Sequence, residues 1–446
     1  MRALAMNSLQ NTTYQPNNGP NEGYIPGTTF EQVQEFDALK NDYSDSHPIV
    51  TSLPQTGGEA VRRDGETECM CTGWFKREIL STPGFPSPIV HPPKIVYKVR
   101  AVEGRGLGVF ATENIKAGDL ILAERPLLIK RAADYAYGRS GLSQEEMLRA
   151  SFVHLEKNME YLCSRMSPEA LKSFKSLYNS HQTDGSGPLT GILRTNGFGL
   201  GINDPTAQAD DTTKGAYTCV GAVASRFNHN CSPSASYNFN VPSFSMEIHA
   251  VRPIAKGEEI TVAYTTLAVP AATRQVDLKP YGFACSCPAC KDPATSDKER
   301  ARVLTCLLPK TSQGVKYAEE ALAAYEATGL QDLPRYIELL RRVAQINRKK
   351  SNKTRADELE SLADKVAVAQ RGRKHEPPVQ NYMFKSPEEV MKFIMERGDS
   401  NDRTNMMNAF MQAMNPGPSN STKIMGPDGK EINVTYSDLV PRPSGL

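Results

Sequence analysis

Arg226-Phe227-Asn228-His229-Asn230-Cys231-Ser232-Pro233 opens the stretch on which the reading of this chain turns; Gly257-Glu258-Glu259-Ile260-Thr261-Val262-Ala263-Tyr264 continues it, and Cys285-Ser286-Cys287-Pro288-Ala289-Cys290 closes it. In residue terms this is a polar loop with one cysteine, a strand ending in a tyrosine, and a clip of three cysteines within six residues. The three clip sulfurs can reach one point, yet a closed tetrahedral zinc site takes four ligands. Cys231 is the favoured fourth, because the Asn228 loop has to be held somewhere and a metal cross-link to the clip would hold it. Cys219, Cys306 and the clip by itself are the alternatives. Cys306 is weaker because its surroundings read as an apolar helix, where a free cysteine acts as a small hydrophobe.

The composition fits an intracellular protein. With 446 residues the chain has room for two or three structural units. A hydrophobic fraction of 39% implies that part of that length lies outside any core. A net charge of +2 makes no case for nucleic acid or an acidic membrane as partner. The nine cysteines are clustered rather than spread, which favours metal thiolates in a reducing compartment over disulfides. No apolar run approaches the roughly 18 residues of a membrane span. The Asn/Gln/Thr-rich opening also lacks the apolar core of a secretory signal.

Residues 1–93 read as a largely disordered arm, with one helical patch at 30–39. Within it Cys69 and Cys71 read as incidental rather than metal-binding, and Trp74 and Phe75 as side chains that dock on the folded body. From Lys94 the texture becomes alternating. Strands are expected near 95–99, 107–111 and 120–129, split by Gly104-Arg105-Gly106 and by Lys116-Ala117-Gly118-Asp119. Ser143 with Glu146 and Ser167 with Pro168 then cap two helices, the second ending near His181. His154 and His181 read as packing or surface histidines. Strand texture resumes at 235–239, 245–251 and 259–264. After the clip, Ala318, Leu322 and Tyr325, then Leu339, Val343 and Ile346, then Leu359, Leu362 and Val366 mark three helices. The basic residues among them read as a solvated face. Beyond Arg371 disorder is expected, apart from a helix at 387–397.

Taken jointly, Gly104-Arg105-Gly106, the Arg226–Pro233 run, Gly257–Tyr264 and Cys285-x-Cys287-x-x-Cys290 resemble the SET-domain protein lysine methyltransferases, in particular the SET-and-MYND group and its fungal relatives. The resemblance covers about residues 94–292. It implies an α+β fold: a β-rich SET domain with a helical insertion, a post-SET zinc clip and a helical C-terminal region. The implied division is a SET first part at 94–130, an insertion at 131–190, a SET core at 191–268, a post-SET segment at 269–292, helices at 293–370 and a tail at 371–446. In the family the Asn-His segment passes under a later one, an exception to the usual connection rules.

Carried over residue by residue, the resemblance implies S-adenosylmethionine bound by Gly104, Arg105, Gly106, Asn196, Asn228, His229 and Phe283. Asn196 would lie in a short strand, and Phe283 would cover the adenine. Tyr264 would be the catalytic tyrosine, and Cys231, Cys285, Cys287 and Cys290 would hold a structural zinc. The substrate implied is a lysine of a protein, histone or otherwise, with no direct nucleic-acid or membrane partner, a monomeric state, and a place in the nucleus, the cytoplasm or both. Two departures stand out. The insertion carries only Cys163, so the MYND finger is absent; and Asn230 and Ser234 stand where family members often have Ser and Asn. The second motivates an alternative, a weakly active or inactive SET scaffold that recruits partners through its helical region.

Overall fold

The computed structural model describes residue 21, residues 43–132, 143–206 and 215–372, and two strands in the last part of the chain. The elements up to Arg371 run β1 (Pro48–Leu53), α1 (Glu59–Arg62), β2 (Thr67–Thr72), α2 (Gly73–Ser81), β3 (Tyr97–Val102), β4 (Gly106–Ala111), β5 (Leu120–Glu124) and β6 (Leu128–Arg131), then α3 (Gln144–Ser164), α4 (Pro168–Lys175), α5 (Pro188–Asn196), β7 (Phe198–Asn203) and β8 (Ala216–Val220). A 3-10 turn (Ala224–Arg226) leads to β9 (Ala235–Asn240), β10 (Ser245–Ala250) and β11 (Glu259–Ile260). The helices α6 (Ala271–Leu278), α7 (Pro288–Lys291), α8 (Pro293–Thr305), α9 (Val315–Ala327), α10 (Pro334–Lys349) and α11 (Lys353–Arg371) follow. Residues 375–446 form a unit of their own, in which β12 (Thr422–Met425) pairs antiparallel with β13 (Glu431–Val434). The expected helical patches at 30–39 and 387–397 lie outside the described residues.

Three small sheets share one core. One has five strands in the order β1-β2-β6-β8-β7, and two have three strands each, β5-β10-β9 and β11-β4-β3. Short strands joined by tight turns cannot bury both faces in one flat layer, so they wrap around a common set of side chains. Val109, Ile121, Tyr217, Phe227, Met246, Ile248, Ile260 and Val262 belong to that set. The second hydrophobic cluster lies in the helical region, where Leu322, Tyr325, Leu340, Val343, Ile346, Leu359 and Val366 pack together. These are the apolar stripes expected for α9, α10 and α11.

Two expectations are corrected here. Residues 43–93 are not an arm: β1 and β2 pair from Pro48↔Thr72 to Leu53↔Thr67, and β2 continues in parallel into β6. Phe75 and Ile79 of α2 are fully buried and Trp74 packs against the same core. The composition misled because β2 is Thr-Glu-Cys-Met-Cys-Thr, every residue of it buried. Its one charge, Glu68, is met by Ser52 at 2.9 Å and by Arg165 at 2.8 Å. Arg165 lies 97 positions away, so nothing local announces the pairing. Cys69 and Cys71 are core thiols whose pKa burial pushes up. The second correction is α4, which stops at Lys175 rather than near His181. Asn179 accepts from the His181 N–H, and the Ser180 hydroxyl pairs with Thr195, so local side-chain bonds replace the helical ladder.

Candidate active site and metal centre

The Asn-His segment is held by strand-like bonds to a later piece of chain. His229 forms a parallel bridge with Val262: the Val262 N–H donates to Asn228 O at 3.0 Å and the Asn230 N–H to Val262 O at 3.1 Å. In such a bridge the neighbours of His229 make the bonds, so its own peptide groups face the other way. Ser234, fully buried, completes the tether. Its hydroxyl accepts from the Thr261 N–H at 3.0 Å, so the residue standing in place of an asparagine still satisfies a buried donor.

His229 and Tyr264 are locked to each other. The Tyr264 N–H donates to His229 Nδ1 at 3.0 Å, which fixes the proton of the neutral ring on Nε2. That Nε2–H faces Cys231 Sγ at 3.3 Å. Burial lowers the His229 pKa to about 4, so the ring is neutral at pH 7. The Tyr264 hydroxyl donates to Phe227 O at 2.7 Å. Burial, then Tyr281 and Glu259, push the phenol pKa above its ordinary value, so Tyr264 is a protonated phenol and not a base. Rings surround it: Tyr281 at 4.8 Å, His229 at 5.5 Å and Phe283 at 6.5 Å between centroids. Phe283 leaves its ring partly open to solvent, and a hollow beside Tyr264 is lined by Ala263, Thr265, Thr266 and Asp277.

The Gly104-Arg105-Gly106 turn joins β3 to β4, with φ of 69° and 71° at the two glycines, the left-handed region that other residues avoid. Arg105 pairs with Glu259 at 2.8 Å, and Glu259 in turn accepts from Asn228 Nδ2 at 2.8 Å. Asn228 Nδ2 also donates to Leu107 O at 3.1 Å, so both amide hydrogens are used. Its oxygen takes no donor among the described residues. Asn196 corrects the expectation made for it. It is the last residue of a helix rather than part of a strand, and its amide is spent on Tyr178 O and Ile192 O, both at 2.7 Å. Its carbonyl accepts from Ser225, immediately before Arg226, so the residue braces the loop.

The four sulfurs of Cys231, Cys285, Cys287 and Cys290 lie within 4.8 Å of one another. A tetrahedral ion with Zn–S bonds of about 2.3 Å separates its sulfurs by about 3.8 Å. The Cys231–Cys290 and Cys231–Cys285 separations of 3.5 and 4.0 Å bracket that value, so the donors fit zinc in kind, number and spacing. Hydrogen bonds from Cys231 and Cys285 hold the Cys287 thiol well below the ordinary thiol range. The other candidates are elsewhere. Cys219 is buried in β8 beside the Tyr237 hydroxyl, and Cys306 is exposed at the end of α8, not inside an apolar helix as expected.

Several residues that build this site carried no local signal. Glu124 accepts from the Val223 and Ala224 N–H groups and so fixes the turn before Arg226. Gln275 pairs reciprocally with the main chain of Cys285, at 2.7 and 3.0 Å. Arg300 donates to Cys231 O and to the Ser232 hydroxyl, both at 2.8 Å. A charged or amide residue in a helical stretch ordinarily reads as surface, and only its burial shows otherwise.

Residues 106–265 match the family model described as the SET domain. This part of the chain is a SET domain. "Histone-lysine N-methyltransferase set5" of Schizosaccharomyces pombe is 31% identical over 196 residues, 44% of this chain and 50% of that protein. "SET domain and MYND-type zinc finger protein 6" of the same organism is 30% identical over 79 residues, 18% of this chain and 16% of the other. "Histone-lysine N-methyltransferase SMYD3" of Mus musculus is 37% identical over 76 residues, 17% of each. The chain therefore spans half of the first relative's length and about a sixth of each of the other two. Among solved structures, the Neurospora SET domain protein DIM-5 is similar at 16% identity and a TM-score of 0.21, over 38% of this chain and 52% of that one.

Proposed function

We propose that the chain is a protein-lysine N-methyltransferase that uses S-adenosylmethionine and holds a structural zinc at Cys231, Cys285, Cys287 and Cys290. The observation that carries the reading is the Tyr264 phenol, bonded to Phe227 O at 2.7 Å beside an open hollow and backed by His229, whose other nitrogen meets a metal-site cysteine. The cofactor, when bound, supplies an electrophilic methyl group on a sulfonium. Around it Asn228 offers an unused amide oxygen to the cofactor's ammonium, and the Gly104–Gly106 turn offers backbone without side-chain obstruction. The half-open ring of Phe283 offers a face to the adenine, and the outward-facing peptide of His229 offers polar groups to its edge. Arg105 and Glu259 hold Asn228 in place, and Asn196 supports the loop from behind.

The protein's part in the reaction is alignment and dryness. A lysine amine of free pKa about 10.4 is neutral near pH 7.4 at a cost of about 4 kcal/mol. A narrow aromatic site beside a positive sulfonium lowers that pKa by desolvation and like charge, so a strong base is not required. Tyr264, kept protonated, accepts the amine's N–H on its oxygen and aims the lone pair. The rings of Tyr281 and His229 favour the developing methylammonium by cation-π attraction. The relatives named histone-lysine N-methyltransferases motivate a histone as the substrate protein, and with it action in the nucleus.

Tyr264→Phe tests the centre. Methyl transfer to a histone mixture should fall by about 100-fold or more, the scale of losing a positioned polar group at a reacting centre, while zinc content stays at one per chain. Turnover equal to wild type would remove Tyr264 from the mechanism. A chain that holds zinc yet gives no heat with S-adenosylmethionine in calorimetry would be a scaffold instead.

A further inference from the structure

Two arginines sit where arginine is costly. Arg274 is wholly buried and Arg300 is 3% exposed. A buried guanidinium needs a countercharge, because desolvating an unpaired cation is strongly unfavourable. Arg274 has Asp297 at 3.4 Å, an aspartate with about a quarter of its side chain in solvent. Among the described residues Arg300 has no carboxylate in hydrogen-bonding range; its partners are the oxygens of Cys231, Ser232, Thr328 and, at 3.4 Å, Leu267. The Nε atoms of both residues are buried and without a partner among the described residues. The two cations also repel each other. Sulfurs act on both groups, Cys231 and Cys290 on Arg274 and Cys231, Cys287 and Cys290 on Arg300, and held as metal thiolates they are the countercharge within reach.

Four thiolates around one divalent ion sum to a net charge of two minus. Two buried guanidinium groups balance it. We propose that Arg274 and Arg300 are positioning residues for the metal centre, a pair of buried cations that neutralises a metal tetrathiolate and fastens the helical region to the loop carrying Asn228 and His229. The inference rests on the metal reading above. Arg300 makes the mechanical link, since one guanidinium nitrogen spans Cys231 O, the Ser232 hydroxyl and Thr328 O at the end of α9. Gly329, just beyond, leaves no room for a side chain against Ser232, so the helix end and the loop are in direct contact. Arg274 makes the second link, with its neighbour Gln275 gripping the Cys285 main chain. Outer-layer partners of this kind orient ligands and set metal affinity.

The test uses the full chain loaded with zinc, and the readout is the rate of zinc transfer to a chromophoric chelator, with fold checked by circular dichroism. Arg274→Met and Arg300→Met should release zinc about 10- to 100-fold faster, the usual effect of deleting an outer-layer partner. Arg300→Lys, which keeps the charge, should lie closer to wild type. Asp297→Asn removes a competing negative charge while keeping an oxygen for the Ala271 N–H, and should slow release. Folded methionine variants that release zinc at the wild-type rate would overturn the proposal, as would Asp297→Asn moving in the same direction as they do. If the methionine variants do not fold, Asp297→Asn decides alone, and unchanged or faster release overturns the proposal. A wild-type chain that binds no zinc would instead sink the metal reading itself.

Discussion

Ser234 shows how much one side chain can settle. As a departure from the resemblance it argues for a weakened loop, yet its hydroxyl takes the Thr261 N–H at 3.0 Å in a fully buried position. Ser234→Ala leaves that donor unmet and should lower stability by about 1–3 kcal/mol in urea denaturation. A smaller loss would mean that the tether is made elsewhere. His249 makes a prediction about pH. Burial depresses its pKa from 6.5 to about 4, so the unfolded chain takes up the proton first as pH falls. Its contribution is fully present above about pH 6.5 and lost progressively toward pH 4, up to about 3 kcal/mol in all. The stability advantage of wild type over His249→Gln should therefore shrink across that window, and a constant difference would show that His249 is not neutral and buried in solution. The motif marks Ser234 only as a departure and does not reach His249 at all, since neither burial nor partner is written beside them in the sequence.

The elements divide by how they announce themselves. The α9, α10 and α11 stripes were plain because each helix buries one face at its own period, and the hairpin of β3 and β4 was plain from its glycines. Strands β1 and β2 were not: in β2 threonine, cysteine and one glutamate fill positions that only a neighbouring sheet makes buried. Removing residues 1–93 strips those two strands from β6, and the remaining SET domain should be insoluble or open to protease at 128–131 and 216–220. A soluble, protease-resistant fragment would return the segment to the status of an arm. In β4, Gly108 is a further test: a Cβ there meets Glu259 Oε1 at 2.6 Å and Asn228 Nδ2 at 3.0 Å. Gly108→Ala should displace that pair and weaken S-adenosylmethionine binding, read by calorimetry, with zinc content unaffected.

At the scale of residues 43–372, the SET sheets and the helical region meet at the four-cysteine cluster and along α11, whose carbonyls at Val368 and Ala369 accept from Asn238 of β9. Stripping zinc from the loaded protein should raise amide hydrogen exchange at 226–232 and 285–290, and also at 325–330, because Arg300 joins them. Unchanged exchange at 325–330 would separate the two regions. The sequence by itself made legible the three-cysteine clip, the dense motif that ends in Tyr264 and the order of strand and helix texture, because cysteine spacing, a motif and side-chain period are local properties. Only the tertiary structure decided that residues 43–93 belong to the core, that Asn196 ends a helix and braces the turn before Arg226, and that Arg274 and Arg300 are buried. Burial and countercharge are properties of what the chain brings together from distant positions, and no local pattern encodes them.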